Sequence, residues 1–130
     1  MELARLLTSD GRELATVELA TSSLARARGL LGRPGLPSAH ALWLAPCRAI
    51  HTIGMRFAID IVFLDRRSAV VAVCASVPPW RLVWGGWHAR GALEFAAGEC
   101  ARLGVRRGDT LQMSAAGGGD GAGSAENAAL

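Results

Sequence analysis

The sequence predicts a small, mainly β domain, a β-sandwich or open barrel of jelly-roll type with one short helix near the N-terminus. Two observations predict this fold class. Short runs of apolar and β-branched residues recur along the chain with turn residues between them, and strands do not alternate with helices as they do in βαβ units. The length of 130 residues and the apolar share of 51% suit one hydrophobic core.

The N-terminal part is predicted to be a hairpin followed by a helix. Asp10-Gly11 lies between the apolar runs ELARLLT and ELATVELA, and Asp-Gly in this position is a strong hairpin signal. One of the residues 21–23, Thr-Ser-Ser, can cap a helix that Gly32 and Pro34 end. After a loop rich in Gly and Pro, HALWLA is expected to form the next strand.

The central part is predicted to be a second hairpin. AIDIVFLD and AVVAVCASV are β-branched runs of strand length on either side of the short polar turn 66–68. Pro78-Pro79 ends the second run, because proline cannot donate a hydrogen bond to a sheet.

The C-terminal part is expected to complete the sheet and then lose structure. WRLVWGGW is predicted to be a loop or short edge segment, ALEFAAG a strand, residues 99–103 one helical turn, and TLQMS a last strand after Gly108-Asp109. From residue 116 the chain is rich in Gly and Ala and has no large apolar side chain before Leu130, so burial cannot offset the entropy of ordering. We therefore expect a single β domain over 1–115 and a disordered tail over 116–130.

Charge and cysteine content argue against several classes of protein. The formal charge is +3, but the 14 basic residues, all Arg, are scattered among 11 acidic ones, so no nucleic-acid partner is predicted. The N-terminus has no signal-peptide pattern and no window is long enough to span a membrane, which predicts a cytoplasmic protein without a membrane partner. Three cysteines without a CxxC pair indicate neither a disulfide framework nor a standard zinc site, and no cofactor is expected.

The first candidate site lies between Cys47 and Asp65, where polar side chains interrupt a strongly apolar run. They are His51, Thr52, Arg56 and Asp60. A carboxylate flanked by two isoleucines needs partners if it is buried. We expect Asp60 to accept hydrogen bonds from Arg56, Thr52 or backbone amides and so to hold the loop at Gly54 against the sheet.

The second candidate site is the segment from Trp80 to Trp87. It carries Trp80, Trp84 and Trp87 around Arg81, and its Pro and Gly content is unusual for a regular core strand. Exposed indoles on a loop can stack on a ligand or anchor a partner, with Arg81 as a planar donor. Alternatively, they cover one end of the sandwich as a small apolar cluster.

Taken together, these residues resemble the domain-of-unknown-function family 192 (DUF192). The resemblance covers nearly all of the domain and rests on Arg28-Gly29-Leu30-Leu31, His51-Thr52, Gly54-Met55, Ile59-Asp60, Phe63-Leu64-Asp65, Leu93-Glu94, Gly98 and Gly108-Asp109. It implies a small β-sandwich of jelly-roll type with a short helix, and it implies no activity. This chain has Ala58 where members commonly have proline, and many members have Trp-Met at positions 51 and 52. Because the carboxylate of Asp60 belongs to the pattern in both cases, we rank Asp60 above His51.

The sequence favours a binding module over an enzyme. The predicted ligand is an unknown small polar molecule or a protein partner, bound in a cleft between the two candidate sites by His51, Thr52, Arg56, Asp60, Trp80, Arg81, Trp84 and Glu94. The alternative is a hydrolase or metal-dependent enzyme centred on Cys47, His51 and Asp60. In that reading, the third ligand of a metal ion would be His40, His88 or Glu94.

Overall fold

The computed structural model describes residues 2–20 and 29–115, and within these ranges the chain is mainly β. The strands are β1 (Glu2–Thr8), β2 (Glu13–Ala20), β3 (His40–Leu44), β4 (Ala49–His51), β5 (Ile59–Leu64), β6 (Val70–Val77), β7 (Leu82–Trp84), β8 (Gly91–Ala96) and β9 (Leu111–Ala115). One helical turn, α1 (Glu99–Leu103), precedes β9. The mainly β class and this helical turn confirm the sequence prediction.

Two predicted segments fall largely outside the described residues. Residues 21–28 of the predicted N-terminal helix and the predicted tail 116–130 are not among them, and residues 29–32 form a turn. The described helix therefore lies near the C-terminal end of the domain. In the described ranges, no helix is long and apolar enough to cross a membrane.

Seven strands form one sheet in the order β6-β5-β8-β3-β2-β1-β9. Neighbouring strands are antiparallel except β2 and β3, a parallel pair that the sequence did not indicate. The sheet curls so far that its two edge strands come together. Ala69, just before β6, forms a bridge with Thr110, just before β9. This bridge is isolated, so the architecture is an open barrel and not a closed one.

The sheet is covered on both faces in its middle strands. The inner face packs Val17, Trp43, Leu93 and Phe95 into the barrel interior, among other apolar residues. The outer face of β3, β5 and β8 carries a second core, and the two-stranded sheet β4–β7 packs over it. All six residues of β5 are buried. A polar side chain in these strands is therefore withdrawn from water whichever face it occupies.

The segment that joins β7 to β8 lies unusually close to the large sheet. A Cβ atom on Gly85 would lie 2.3 Å from the ring of Phe63, and one on Gly91 would lie 2.1 Å from the indole of Trp43. Glycine at both positions lets the backbone rest directly on these rings. The segment is thus held against the sheet at both ends.

Candidate functional site

Glu94 occupies the middle of β8 and faces outward from the barrel. Its neighbours across the sheet are Leu42 on β3 and Ile61 on β5, which belong to the outer core. Because side chains alternate along a strand, Leu93 and Phe95 face the barrel interior instead. The Glu94 residue is only 4% exposed.

Glu94 borders a cavity of about 290 Å³, which we call the Glu94 cavity. The walls are mostly apolar and come from the turn at residues 29–31, the end of β3, and β4 with the loop that follows it. Its apolar residues include Leu30, Leu31, Leu44, Ile50 and Met55, and its polar side chains are Cys47, His51 and Glu94. One buried carboxyl group thus faces an otherwise largely apolar space.

The carboxyl group of Glu94 is incompletely satisfied. Its Oε1 atom is buried and has no hydrogen-bond partner within residues 2–20 and 29–115. Burial raises the pKa of Glu94 to about 7, and the positive charge of Arg33 offsets only part of this shift. Near neutral pH the group therefore exists in both protonation states.

Arg33 does not neutralise Glu94 because another glutamate takes its hydrogen bonds. Its guanidinium donates to both carboxylate oxygens of Glu18, at 2.9 and 3.0 Å. The ring of His40 contacts the same carboxylate at 2.7 Å. These partners lower the pKa of Glu18 to about 2, Arg33 more than His40. Glu18 and Glu94 both lie beside Leu42 in register, two strand spacings apart, or roughly 10 Å.

Cys47 and His51 also line the Glu94 cavity. The Sγ atom of Cys47 donates to the carbonyl oxygen of Ala49 at 3.1 Å. Burial raises the pKa of this thiol, and the charge of Glu94 raises it further, while the contact with Ala49 acts the other way. Cys47 is therefore a thiol rather than a thiolate near neutral pH. His51 is exposed on β4, opposite Leu82 of β7.

Asp60 does not line this cavity. It is fully buried on β5, and its Oδ1 atom accepts a hydrogen bond from the N–H of Ser76 at 2.8 Å. Its Oδ2 atom accepts from Gly98 at 3.1 Å and Cys100 at 2.9 Å. The expected backbone-amide partners are confirmed, but they come from β6 and α1. Arg56 and Thr52 are not its partners, and it does not hold the loop at Gly54.

The carboxylate of Asp60 meets two local needs of the backbone. The β5–β6 ladder shifts register between Ile59 and Ile61, so that a β-bulge in β6 places the Ser76 amide beside Asp60. Helix α1 has no side-chain cap of its own, and Asp60 accepts hydrogen bonds from its first free amides. These roles are structural.

Thr52 and Arg56 also lie apart from the cavity. The hydroxyl of Thr52 donates to the Pro78 carbonyl at 2.7 Å and accepts from the Arg81 amide at 2.9 Å, which joins β4 to the segment before β7. The Arg56 side chain is exposed and makes no hydrogen bond or ion pair with the part of the chain that the structure describes.

The tryptophans of the second candidate site are exposed, which decides between the two alternatives left open by the sequence. Trp80, Trp84 and Trp87 are 67%, 52% and 76% exposed. The rings of Trp84 and Trp87 meet edge to face, with centroids 5.0 Å apart. Trp84 pairs in register with Ala49, which lines the Glu94 cavity, so the exposed indoles and the cavity share the β4–β7 sheet. Arg81 is exposed beside them and its side chain contacts the carbonyl groups of residues 79 and 80.

The structure thus assembles only part of the predicted constellation. Cys47 and His51 share the cavity, whereas Asp60 lies on the opposite face of the sheet. No group of three or more potential metal-ligating side chains occurs among the described residues. Glu94 was a sequence candidate, but its central position was missed. Its signal was an acidic residue inside the apolar run ALEFAA, the same kind of signal that singled out Asp60.

The comparisons with known proteins concern the whole domain. The DUF192 family model, described as "Uncharacterized ACR", matches residues 5–113. A protein from Sinorhizobium meliloti 1021 described as a "putative transcription regulator" is similar, with a TM-score of 0.75 and 25% identity over 86% of this chain and 92% of its own. A protein of unknown function from Novosphingobium aromaticivorans DSM 12444 has the same fold, with a TM-score of 0.71 and 22% identity over 86% and 84% of the two chains. No curated protein matches the chain.

Proposed function

The chain belongs to the DUF192 family, whose description names no activity, and we propose that its domain binds a small organic ligand in the Glu94 cavity. The observation that carries this proposal is the carboxyl group of Glu94, which lines the cavity and whose buried Oε1 atom has no hydrogen-bond partner in the described ranges. A buried polar atom left unpaired costs about 1–3 kcal/mol. A ligand that donates hydrogen bonds to this carboxyl group offsets that cost, which makes the empty state comparatively unfavourable.

The lining of the cavity indicates the chemistry of the ligand. The apolar walls accept a hydrocarbon body, and Glu94 accepts one N–H or O–H group from it. A volume of about 290 Å³ lies at the lower end of the range for small-molecule sites, so the ligand is small. An amine fits best, because an ammonium group both donates hydrogen bonds and pairs with the ionised carboxylate.

The pKa of Glu94 gives this proposal a pH signature. Because it is about 7, the carboxylate form becomes dominant as the pH rises through neutrality. An ammonium ligand should therefore bind more tightly at pH 8 than at pH 6. A neutral alcohol, which the protonated acid can also accommodate, should show little of this dependence.

Three probes with the same hydrocarbon body test the proposal by calorimetric titration. They are n-butylamine, butan-1-ol and pentanoate, and the expected order of affinity at pH 8 is amine, then alcohol, then carboxylate. Glu94→Gln should remove the preference for the amine. The matched control is Glu2→Gln, which changes an exposed glutamate on β1 outside the cavity. Equal affinity for the amine in Glu94→Gln and wild type would show that Glu94 is not the contact.

A hydrolase centred on Cys47, His51 and Asp60 is the alternative function. The position of Cys47 and His51 on one cavity supports it. Two features weigh against it: the carboxylate of Asp60 is engaged by backbone amides on the other face of the sheet, and the pKa of the Cys47 thiol is raised. Cys47→Ser separates the two functions, because it should preserve amine binding while a nucleophilic mechanism would lose all turnover of a substrate ester.

Binding of a protein partner through the exposed indoles is a further candidate. Trp80, Trp84 and Trp87, together with the exposed Ile53 and Leu82, form an apolar surface of a kind that is typical of contact sites. Gel filtration at increasing protein concentration tests the simplest case, self-association. Trp84→Ala should then shift the elution towards the monomer, and Arg107→Gln, on the turn before β9 and outside this apolar surface, should not.

A further inference from the structure

A second cavity of about 300 Å³ lies where the β5–β6 turn meets the segment between β7 and β8. We call it the basic pocket, and it is lined by Asp65, Arg66, Arg67, Trp87, His88 and Arg90. It shares no lining residue with the Glu94 cavity. Its two halves lie about 20 residues apart in the sequence, so the fold brings these side chains together.

The backbone holds both halves of the basic pocket firmly. The Oδ1 atom of Asp65 accepts hydrogen bonds from the amides of Arg67 and Ala69, each at 2.9 Å, which fixes the β5–β6 turn. On the other side, the amide of Arg90 donates to the Leu64 carbonyl at 2.7 Å, and the Arg90 carbonyl accepts from Cys47 at 2.9 Å. These hydrogen bonds therefore fix the position of the β5–β6 turn relative to the start of β8.

The charge of the basic pocket is predominantly positive. The side chains of Arg66, Arg67 and Arg90 are exposed and form no ion pair with any residue in ranges 2–20 and 29–115. The single acidic side chain that lines the pocket, Asp65, already uses one carboxylate oxygen for the turn. Three guanidinium groups around one small cavity suit a phosphate group, which the planar fork of arginine binds through two parallel hydrogen bonds.

Trp87 adds a flat apolar surface beside these charges. Trp87 is 76% exposed, although Gly85, two residues before it, packs on Phe63. Trp84 contacts the ring edge to face at a centroid distance of 5.0 Å, which orients it without covering most of it. An exposed, oriented indole next to cationic groups is a stacking surface for a nucleobase.

The geometry points to a binding site for a mononucleotide in the basic pocket, with the phosphate held by the arginines and the base stacked on Trp87. A mononucleotide accounts for both the arginines and the indole, because a phosphate alone would not need the indole and an uncharged aromatic ligand would not need three guanidinium groups. The volume suits a single nucleotide rather than a longer ligand. This site is independent of the proposed function of the Glu94 cavity.

Calorimetric titration of the full chain with AMP tests this inference, with adenosine, ribose 5-phosphate and inorganic phosphate as matched probes. AMP should bind saturably, and each of the other three should bind at least about tenfold more weakly, because each lacks the base or the phosphate. Arg90→Gln and Trp87→Ala should each weaken AMP binding by about tenfold. Both side chains are exposed, so the variants should retain the wild-type unfolding transition.

Two control variants keep the test specific. Arg56→Gln removes an exposed arginine that precedes β5, at the opposite end of this strand from the pocket, and Trp80→Ala removes an exposed indole outside the pocket, so neither should alter AMP binding. The inference is overturned if AMP shows no saturable binding, if ribose 5-phosphate binds as tightly as AMP, or if Arg56→Gln weakens binding as much as Arg90→Gln. A single-stranded oligonucleotide that binds far more tightly than AMP would assign the surface to a strand and would also overturn the mononucleotide site.

Discussion

Asp60 and Glu94 are two buried acids on neighbouring strands of the same sheet, and they face opposite sides of it. Asp60 is opposite Phe95 in register, and Glu94 is opposite Ile61. Both are withdrawn from water, at 0% and 4% exposure. They differ in their partners: the oxygens of Asp60 accept three backbone N–H groups, whereas Oε1 of Glu94 accepts none within the described residues.

This difference separates a structural acid, Asp60, from Glu94, the acid that we propose binds a ligand. Burial alone does not distinguish them, because each sits in an apolar strand. An acid whose oxygens are hydrogen-bonded by the fold stabilises that fold. A buried acid that lines a cavity and keeps an unpaired oxygen destabilises the empty protein and favours a ligand. The following predictions test this distinction.

The largest expected effect is that of Asp60→Asn. An asparagine keeps the shape but offers one acceptor oxygen and places an NH₂ group against backbone donors. We expect the free energy of unfolding to fall by about 3 kcal/mol, because all three charge-assisted hydrogen bonds are lost or weakened. Urea unfolding measures this. The control is Asp109→Asn. In the wild type, the carboxylate of Asp109 accepts a hydrogen bond from the Arg106 amide in an exposed turn, so this variant should lose less than about 1 kcal/mol of unfolding free energy. Equal losses in the two variants would contradict the structural role of Asp60.

Glu94→Gln should change the free energy of unfolding in the opposite direction. The folded pKa of about 7 exceeds the unfolded value of 4.5, so the stability associated with the protonated acid is complete below pH 4.5 and is lost as the pH rises through 7. Glutamine has no charge to desolvate, and the variant should be more stable than wild type above pH 8, by at most about 3 kcal/mol. The two proteins should differ little near pH 4.5. A wild-type protein whose stability does not fall between these pH values would argue against an unpaired Glu94.

Glu18 should show the pH dependence of a partnered carboxylate. Its pKa is lowered to about 2, chiefly by Arg33, so its contribution is present above pH 4.5 and is lost as the pH falls towards 2. The pair is partly exposed, and the effect should stay below about 1 kcal/mol. Glu18→Gln should flatten this acid limb of the stability curve. It should also reduce the change near pH 7, because it frees the guanidinium of Arg33 to interact with Glu94. An acid limb that persisted unchanged in the variant would argue against Glu18 as its source.

The smallest expected effect concerns the thiol of Cys47. Removing the negative charge with Glu94→Gln should lower the pKa of Cys47 and speed its alkylation about two- to threefold at pH 8. Cys74 is the internal control, because its pKa is raised by burial alone. Mass spectrometry of iodoacetamide-treated protein resolves the two sites. An equal acceleration at both would indicate general loosening of the structure and not the loss of one charge.

The strands were predictable because their signals are local. Asp10-Gly11 fixes the first hairpin, and β-branched runs around residues 66–68 fix the second, without reference to distant parts of the chain. The parallel pairing of β2 with β3 was not predictable, because it depends on a crossover between them. Residues 21–28 of that connection lie outside the described part of the chain.

The site was predictable only as a set of candidates. The run around Asp60 correctly indicated a buried acid with backbone partners, but these partners lie 16 to 40 residues away, and so no local pattern identifies them. The unpaired oxygen of Glu94 likewise results from tertiary packing. Likewise, scattered arginines gave no basic stripe in the sequence, although Arg66, Arg67 and Arg90 converge on one pocket.

The absence of a side chain at Gly91 has a consequence for how the two cavities relate. Only a hydrogen atom separates this backbone from the indole of Trp43, which sets the depth at which β8 enters the barrel. Arg90 lies immediately before that point and Glu94 three residues after it, so the positions of both side chains depend on how closely this backbone approaches Trp43. An alanine at position 91 would have to displace the strand, and it would therefore disturb both proposed sites at once without removing any side chain that we propose contacts a ligand.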